Sequence, residues 1–140
     1  MEMEIKLDYA DVNWQFVSET LKRVGMAYGE PAAHKKAFEN SRVTVFIYRE
    51  GQLIGFGRAI SDDVFQAAIY DIAVVPEYQA RGIGKIIIKT IMDKLSNCNF
   101  ILYAAPGKEG FYQTLGFRKM KTGMALFLKA PQMKERGFTE

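Results

Sequence analysis

The sequence is poor in nearly everything that marks a secreted, metal-bound or membrane protein. It holds one cysteine, Cys98, and one histidine, His34, among 140 residues. A single thiol excludes an internal disulfide and suits a reducing compartment, so a cytoplasmic protein is expected. A single histidine with no cysteine near it leaves no zinc-ligand set, and no metal is expected. No apolar run approaches the roughly 20 residues of a membrane helix. The opening Met1-Glu2-Met3-Glu4 is acidic and lacks the apolar centre of a secretion signal. Charge of one sign is also scarce. The net charge is +3, and basic residues are scattered as Lys22-Arg23, Lys35-Lys36 and Arg118-Lys119-Lys121, which argues against nucleic-acid and membrane partners.

What is present is ordinary for a globular chain: 49% apolar and 25% charged residues. The length allows one domain over residues 1–140 with a single sizeable core, and residues 131–140 are expected to fray.

Periodicity gives the element order. Trp14, Val17, Leu21 and Val24 recur at helical spacing, with Asp11 as N-cap and Gly25 as stop. Ala32 to Glu39 reads as a second helix opened by Pro31. Three β-rich runs follow: Arg42–Tyr48, Leu53–Ile60 and Phe65–Val75. Their connections are too short for crossovers, so they form an antiparallel meander. Arg81 to Leu95 is an amphipathic helix with Ile83, Ile86, Ile87, Ile91 and Leu95 on one face. The strand Phe100–Ala104 comes next, parallel to the strand before the helix. A short helix over Lys108–Leu115 and a hairpin of Phe117–Lys121 with Met124–Lys129 complete the pattern. This is an α+β chain, a mostly antiparallel twisted sheet with one parallel pair and about four helices.

The densest chemical signal lies between the third long strand and the central helix. A β-branched run ends at Pro76, and a turn carrying Gly82 and Gly84 opens directly into a helix. Helix-terminal N–H groups without partners converge there, the helix dipole adds partial positive charge, and Arg81 and Lys85 add full charges. The two glycines clear space for an anion. The residues predict a phosphorylated ligand. Ile86 stands where a phosphate-binding P-loop needs Ser or Thr, and Ile87 stands where a dinucleotide fingerprint needs Gly.

Gln79-Ala80-Arg81-Gly82-Ile83-Gly84 resembles the Q/R-x-x-G-x-G/A signature of the GNAT superfamily of acyl-CoA-dependent N-acyltransferases. Phe111-Tyr112-Gln113-Thr114-Leu115-Gly116-Phe117 resembles its second signature, [FL]-Y-x-x-L-G-F. Gly55-Phe56-Gly57-Arg58-Ala59 followed by Asp71 and Phe111-Tyr112 is also similar to the arylalkylamine branch, including plant serotonin acetyltransferases. The resemblance spans about residues 42–127 and implies a single GNAT-like domain whose parallel strand pair splays around acetyl-CoA.

On that resemblance the main chain of Ile72, Ala73 and Val74 would hold pantetheine and polarise the acetyl carbonyl. The N–H groups of Gln79, Ala80, Arg81, Gly82, Ile83, Gly84 and Lys85 would hold the pyrophosphate. Tyr112 would protonate the departing thiolate, a role open to a phenol of pKa about 10, with core packing as its other reading. The family's frequent glutamate base falls at Ala68 here, and its frequent cofactor-contacting asparagine falls at Ala105. Asp71, a carboxylate in an apolar strand, is the substitute base, or else a hydrogen-bonded structural residue. The implied activity is acetyl transfer from acetyl-CoA to a primary amine in a ternary complex, by a monomer or homodimer. The alternative is a non-catalytic acetyl-CoA sensor of the same fold.

Overall fold

The computed structural model describes residues 2–140, so Met1 of the acidic opening lies outside it. Two compact units are distinguished, one ending at Leu102 and the other running from Tyr103 to Glu140.

The first unit is built on a five-stranded sheet in the order β1-β2-β3-β4-β5. These strands are β1 (Glu4–Lys6), β2 (Val43–Arg49), β3 (Gln52–Ser61), β4 (Gln66–Val74) and β5 (Asn99–Ile101). The first four pair antiparallel, and β4 pairs parallel with β5. The expected meander and its parallel neighbour are therefore present. Edge strand β1 was not foreseen, because three residues are too few to show a period. The β2–β3 turn is tight because Glu50 and Gly51 both take positive φ, 51° and 74°, the conformation of a two-residue hairpin loop.

Helices α1 (Trp14–Arg23) and α2 (Pro31–Glu39) pack against each other and supply Val17, Leu21 and Phe38 to a core with Phe46, Leu53, Phe56 and Ala73. Pro31 opens α2 as expected. The cap of α1 is Asn13 rather than Asp11: Asn13 Oδ1 accepts the Phe16 N–H at 3.0 Å. Asp11 lies too far ahead of the first turn for this bond, which runs from a cap to the third residue inside.

Helix α3 (Ile83–Lys94) packs against β2, β3 and β4. It buries Ile83, Ile87, Ile88 and Ile91, with Leu95 just beyond its end. Ile88 thus takes the place expected for Ile86, which is only half-buried. Among the described residues no helix is long and apolar enough to cross a membrane.

The second unit holds α4 (Glu109–Gln113) and α5 (Ala130–Glu135). Gly116, at φ 96°, ends the α4 region as anticipated. The expected hairpin of 117–121 with 124–129 is not formed: these residues carry no strand. An isolated hairpin is marginal without cover for its apolar face, and Leu126 and Leu128 are fully exposed. Part of the tail expected to fray is helical instead, with Pro131 in the first turn of α5. The fold class, α+β with one parallel strand pair, stands, with five α-helices among the described residues.

Candidate functional site

Strand β4 contains a bulge. Arg58 pairs with Tyr70 and Phe56 with Ala73, so Gly57 alone faces both Asp71 and Ile72. Asp71 is the turning point, with φ 58°. Aspartate is among the few non-glycine residues that tolerate the left-handed region. A one-residue insertion exchanges the two faces of a strand. After the bulge Ile72 lies against Ile87 of α3, and Ala73 joins the Phe38–Phe56 core. Gly57 is required by this crossing. A β-carbon there would stand 2.4 Å from Ile72 Cδ1 and 2.8 Å from Ile87 Cγ2.

The bulge also aims Asp71 at Arg58. Arg58 Nε donates to Asp71 Oδ2 at 2.7 Å, and both side chains are largely buried, 15% and 20% exposed. Arg58 is held in turn by the faces of Phe38 and Tyr70, 5.8 and 5.2 Å from their centroids, and by a bond to Ser41 Oγ at 3.3 Å. Asp71 is therefore a hydrogen-bonded, paired carboxylate. One charged residue in an apolar strand signals such a pair, and both strands show one, but sequence reasoning did not join Arg58 to Asp71.

Beyond the bulge β4 has no strand paired on its β5 side among the described residues. Parallel pairing with β5 covers only Gln66–Ala68 against Asn99–Ile101 and then stops. The main chain of Ile72, Ala73 and Val74 lies past that point; Ala73 and Val74 pair with Phe56 and Gly55 of β3, and Ile72 falls in the bulge. Ala73 is buried, whereas Ile72 and Val74 are half-buried.

The chain leaves β4 through a 3₁₀ turn at Pro76–Tyr78 and enters α3 through two left-handed residues, Ala80 at φ 62° and Gly82 at φ 83°. Gln79 Nε2 donates to the Val74 carbonyl at 3.1 Å, tying this turn to the strand end. The first intrahelical bond returns from Ile86 N–H to Gly82 O at 3.1 Å. The N–H groups of Ile83, Gly84 and Lys85 therefore have no acceptor within α3. The Ile83 side chain is core, so only its main chain is available to a ligand. A β-carbon at Gly82 would meet no protein atom within 4 Å. Arg81 and Lys85 are exposed on either side of this turn. Arg81 rests 5.2 Å over the Tyr78 ring, and Arg49 rests 5.8 Å from the same ring. Glu77 is paired with Arg23 at 2.6 Å, a bond that holds its carboxyl below the usual range. This donor set fits a phosphorylated ligand.

Tyr112 lies on α4 of the second unit, with Phe111 and Phe117 edge-on at 5.1 and 5.9 Å. Burial pushes its phenol above the ordinary value, which keeps it protonated. Among the described residues no cluster of His, Cys, Asp and Glu forms a metal site.

The family profile described as the acetyltransferase (GNAT) domain matches residues 9–125. An uncharacterised N-acetyltransferase of Prochlorococcus marinus is 33% identical over 108 residues, 72% of this chain and 60% of that protein. Serotonin N-acetyltransferase 2 of rice, named as chloroplastic, is 32% identical over 111 residues, 72% of this chain and 54% of that protein. The chain thus spans little more than half the length of these relatives. A solved Staphylococcus aureus protein of unknown function is 25% identical with a TM-score of 0.81, covering 91% of this chain and 99% of its own.

Proposed function

Because the chain belongs to the GNAT acetyltransferase family, we propose that it transfers an acetyl group from acetyl-CoA to a primary amine by direct attack in a ternary complex. The observation that carries this reading is the early end of β4–β5 pairing at Ala68 and Ile101 beside the glycine-capped start of α3. An extended pantetheine arm needs a strand edge to bond with, and a pyrophosphate needs convergent N–H donors. The main chain of Ile72, Ala73 and Val74 supports the first requirement. The turn from Gln79 to Lys85 supports the second.

Each side chain then has a defined task. The amine must lose a proton, and Asp71, directly or through water, receives it or orients the nucleophile. Arg58 fixes the Asp71 rotamer for that task. The amine nitrogen bonds to the acetyl carbon, and collapse of the tetrahedral intermediate breaks the carbon–sulfur bond. Tyr112, kept neutral by burial, gives its proton to the departing thiolate. Cys98 lies at the far end of α3 and bonds Ser61 Oγ at 3.7 Å, which gives an acyl-cysteine route no support. The lone thiol favours a reducing compartment such as the cytoplasm.

A library of amines tests the proposal, with acetyl-CoA as donor and free thiol as readout. Thiol release that requires a particular amine, with that amine recovered acetylated, is the expected result. Tight acetyl-CoA binding with no turnover of any amine would favour the sensor reading instead.

A further inference from the structure

One ring at the end of the sheet carries two cations. The β2–β3 turn and the last residue of β4 share that end, since Arg49 pairs with Gln52 and Gly55 with Val74. Arg49 closes β2 and reaches from there to Tyr78 of the 3₁₀ turn. Its guanidinium lies 5.8 Å from the ring centroid, and its Nη1 donates to the Tyr78 hydroxyl at 3.4 Å. Arg81 lies 5.2 Å from the same centroid. Among the described residues neither arginine has a carboxylate partner, and Glu77, the acid beside Tyr78, is already taken by Arg23. Two guanidinium groups that share one ring are near enough for their repulsion to escape full screening, since the Debye length is about 8 Å at physiological salt. An anion bonded to both offsets that repulsion.

We infer that Arg49 and Arg81 form a phosphate-monoester subsite that reads the ribose 3′-phosphate of the coenzyme, apart from the main-chain donors of the turn. The inference rests on the acetyl-CoA reading above. Coenzyme A carries two kinds of phosphate, a pyrophosphate diester and one monoester on the ribose. Convergent N–H donors suit the first. The monoester loses its second proton at about pH 6, so at neutral pH it is close to a dianion. Two guanidinium forks match both its charge and its oxygens. Tyr78 orients the fork of Arg49: the ring supplies a face and the hydroxyl takes one N–H, which leaves the rest of the fork for a ligand. Only the ribose separates the monoester from the pyrophosphate, and Arg81 stands immediately before Gly82. The subsite therefore adjoins the donors at the start of α3.

Calorimetry with acetyl-CoA and with acetyl-dephospho-CoA, which lacks only the 3′-phosphate, tests this. The parent should bind acetyl-CoA at least about tenfold more tightly. Arg49→Gln should lose most of that preference by weakening acetyl-CoA alone. Its parental affinity for the dephospho form shows, in the same titration, that the variant is folded. Arg49→Lys keeps the charge without the fork and should fall between the two. Equal affinity of the parent for both ligands would overturn the inference and leave the acetyl-CoA reading standing. So would an Arg49→Gln variant that weakens both ligands alike, the mark of a residue that only supports the turn. A parent that binds neither ligand would overturn the inference and the acetyl-CoA reading together.

Discussion

Arg58 and Asp71, thirteen residues apart on neighbouring strands, meet as an ion pair of 2.7 Å at the one point where β4 bulges. Asp71 is both the residue that turns the strand, through its left-handed backbone, and a carboxylate held by Arg58. If it handles the acceptor's proton, Asp71→Asn should lower activity most at low pH, where free amine is scarce. A less basic amine should suffer less. Arg58→Lys keeps the charge but loses the planar fork, so it should restore only part of what Arg58→Ala removes. The check is a pH–rate profile of each variant with two amines of different basicity. Identical profiles and equal losses for both amines would leave Asp71 a structural residue.

Gly57 is expected to be intolerant of the smallest side chain. Gly57→Ala drives a methyl group into Ile87 Cγ2 and the end of Ile72, and overpacking of this kind costs about 1–3 kcal/mol. Gly29→Ala, whose β-carbon would meet nothing within 4 Å, serves as the near-neutral comparison. Urea denaturation midpoints of the two variants measure the difference, and a Gly57→Ala midpoint equal to the parent's would contradict the packing described.

Tyr112→Phe removes one hydroxyl and should leave acetyl-CoA affinity nearly intact. General-acid assistance is worth about 10²–10⁴-fold, so turnover should fall by that order when chemistry limits the rate. Because burial raises the phenol's pKa, no loss of activity below about pH 10 should trace to its ionisation. Single-turnover kinetics beside calorimetric binding separate the two effects. A variant with parental turnover would make Tyr112 a packing residue.

The sequence displayed the glycine-bearing turn before α3 clearly, because glycine and charge spacing are local signals. The meander and the βαβ crossover were legible for the same reason: period and connection length need no knowledge of tertiary contacts. The bulge was not legible. It is made by Asp71 rather than glycine, and only the cross-strand register reveals it. Ala80 hid its left-handed backbone equally well, since alanine gives no hint of positive φ. Ile86 and Ile88 are both isoleucine, so composition could not say which one faces the sheet. The hairpin expected after Phe117 failed on context: its apolar pattern is present, but those residues form no strand.

Asp62 offers a pH-dependent contribution to stability. Its Oδ1 accepts the N–H groups of Gln66, Phe65 and Val64 at 3.0, 2.7 and 2.9 Å, and these bonds lower its pKa. A depressed carboxylate stabilises the fold above its unfolded pKa, and that contribution disappears as pH falls through the folded value. Asp62→Asn should therefore melt below the parent at neutral pH. The gap should close as pH drops below about 4. Melting temperatures of both proteins between neutral and strongly acidic pH give the comparison. A gap that stays constant with pH would mean the charge contributes nothing.

The central claim, that the turn from Gln79 to Lys85 holds acetyl-CoA through its main chain, is tested most directly by calorimetry on Gly82→Val. Valine at φ 83° strains the backbone and adds a side chain where glycine leaves none, at the start of α3. Gly25→Val is the matched control: its φ is 80°, a β-carbon there would also meet nothing within 4 Å, and it lies at the end of α1. Both variants should lose similar stability. Only Gly82→Val should lose acetyl-CoA binding, while Gly25→Val binds as the parent does. A folded Gly82→Val that binds acetyl-CoA with parental affinity would contradict the assignment.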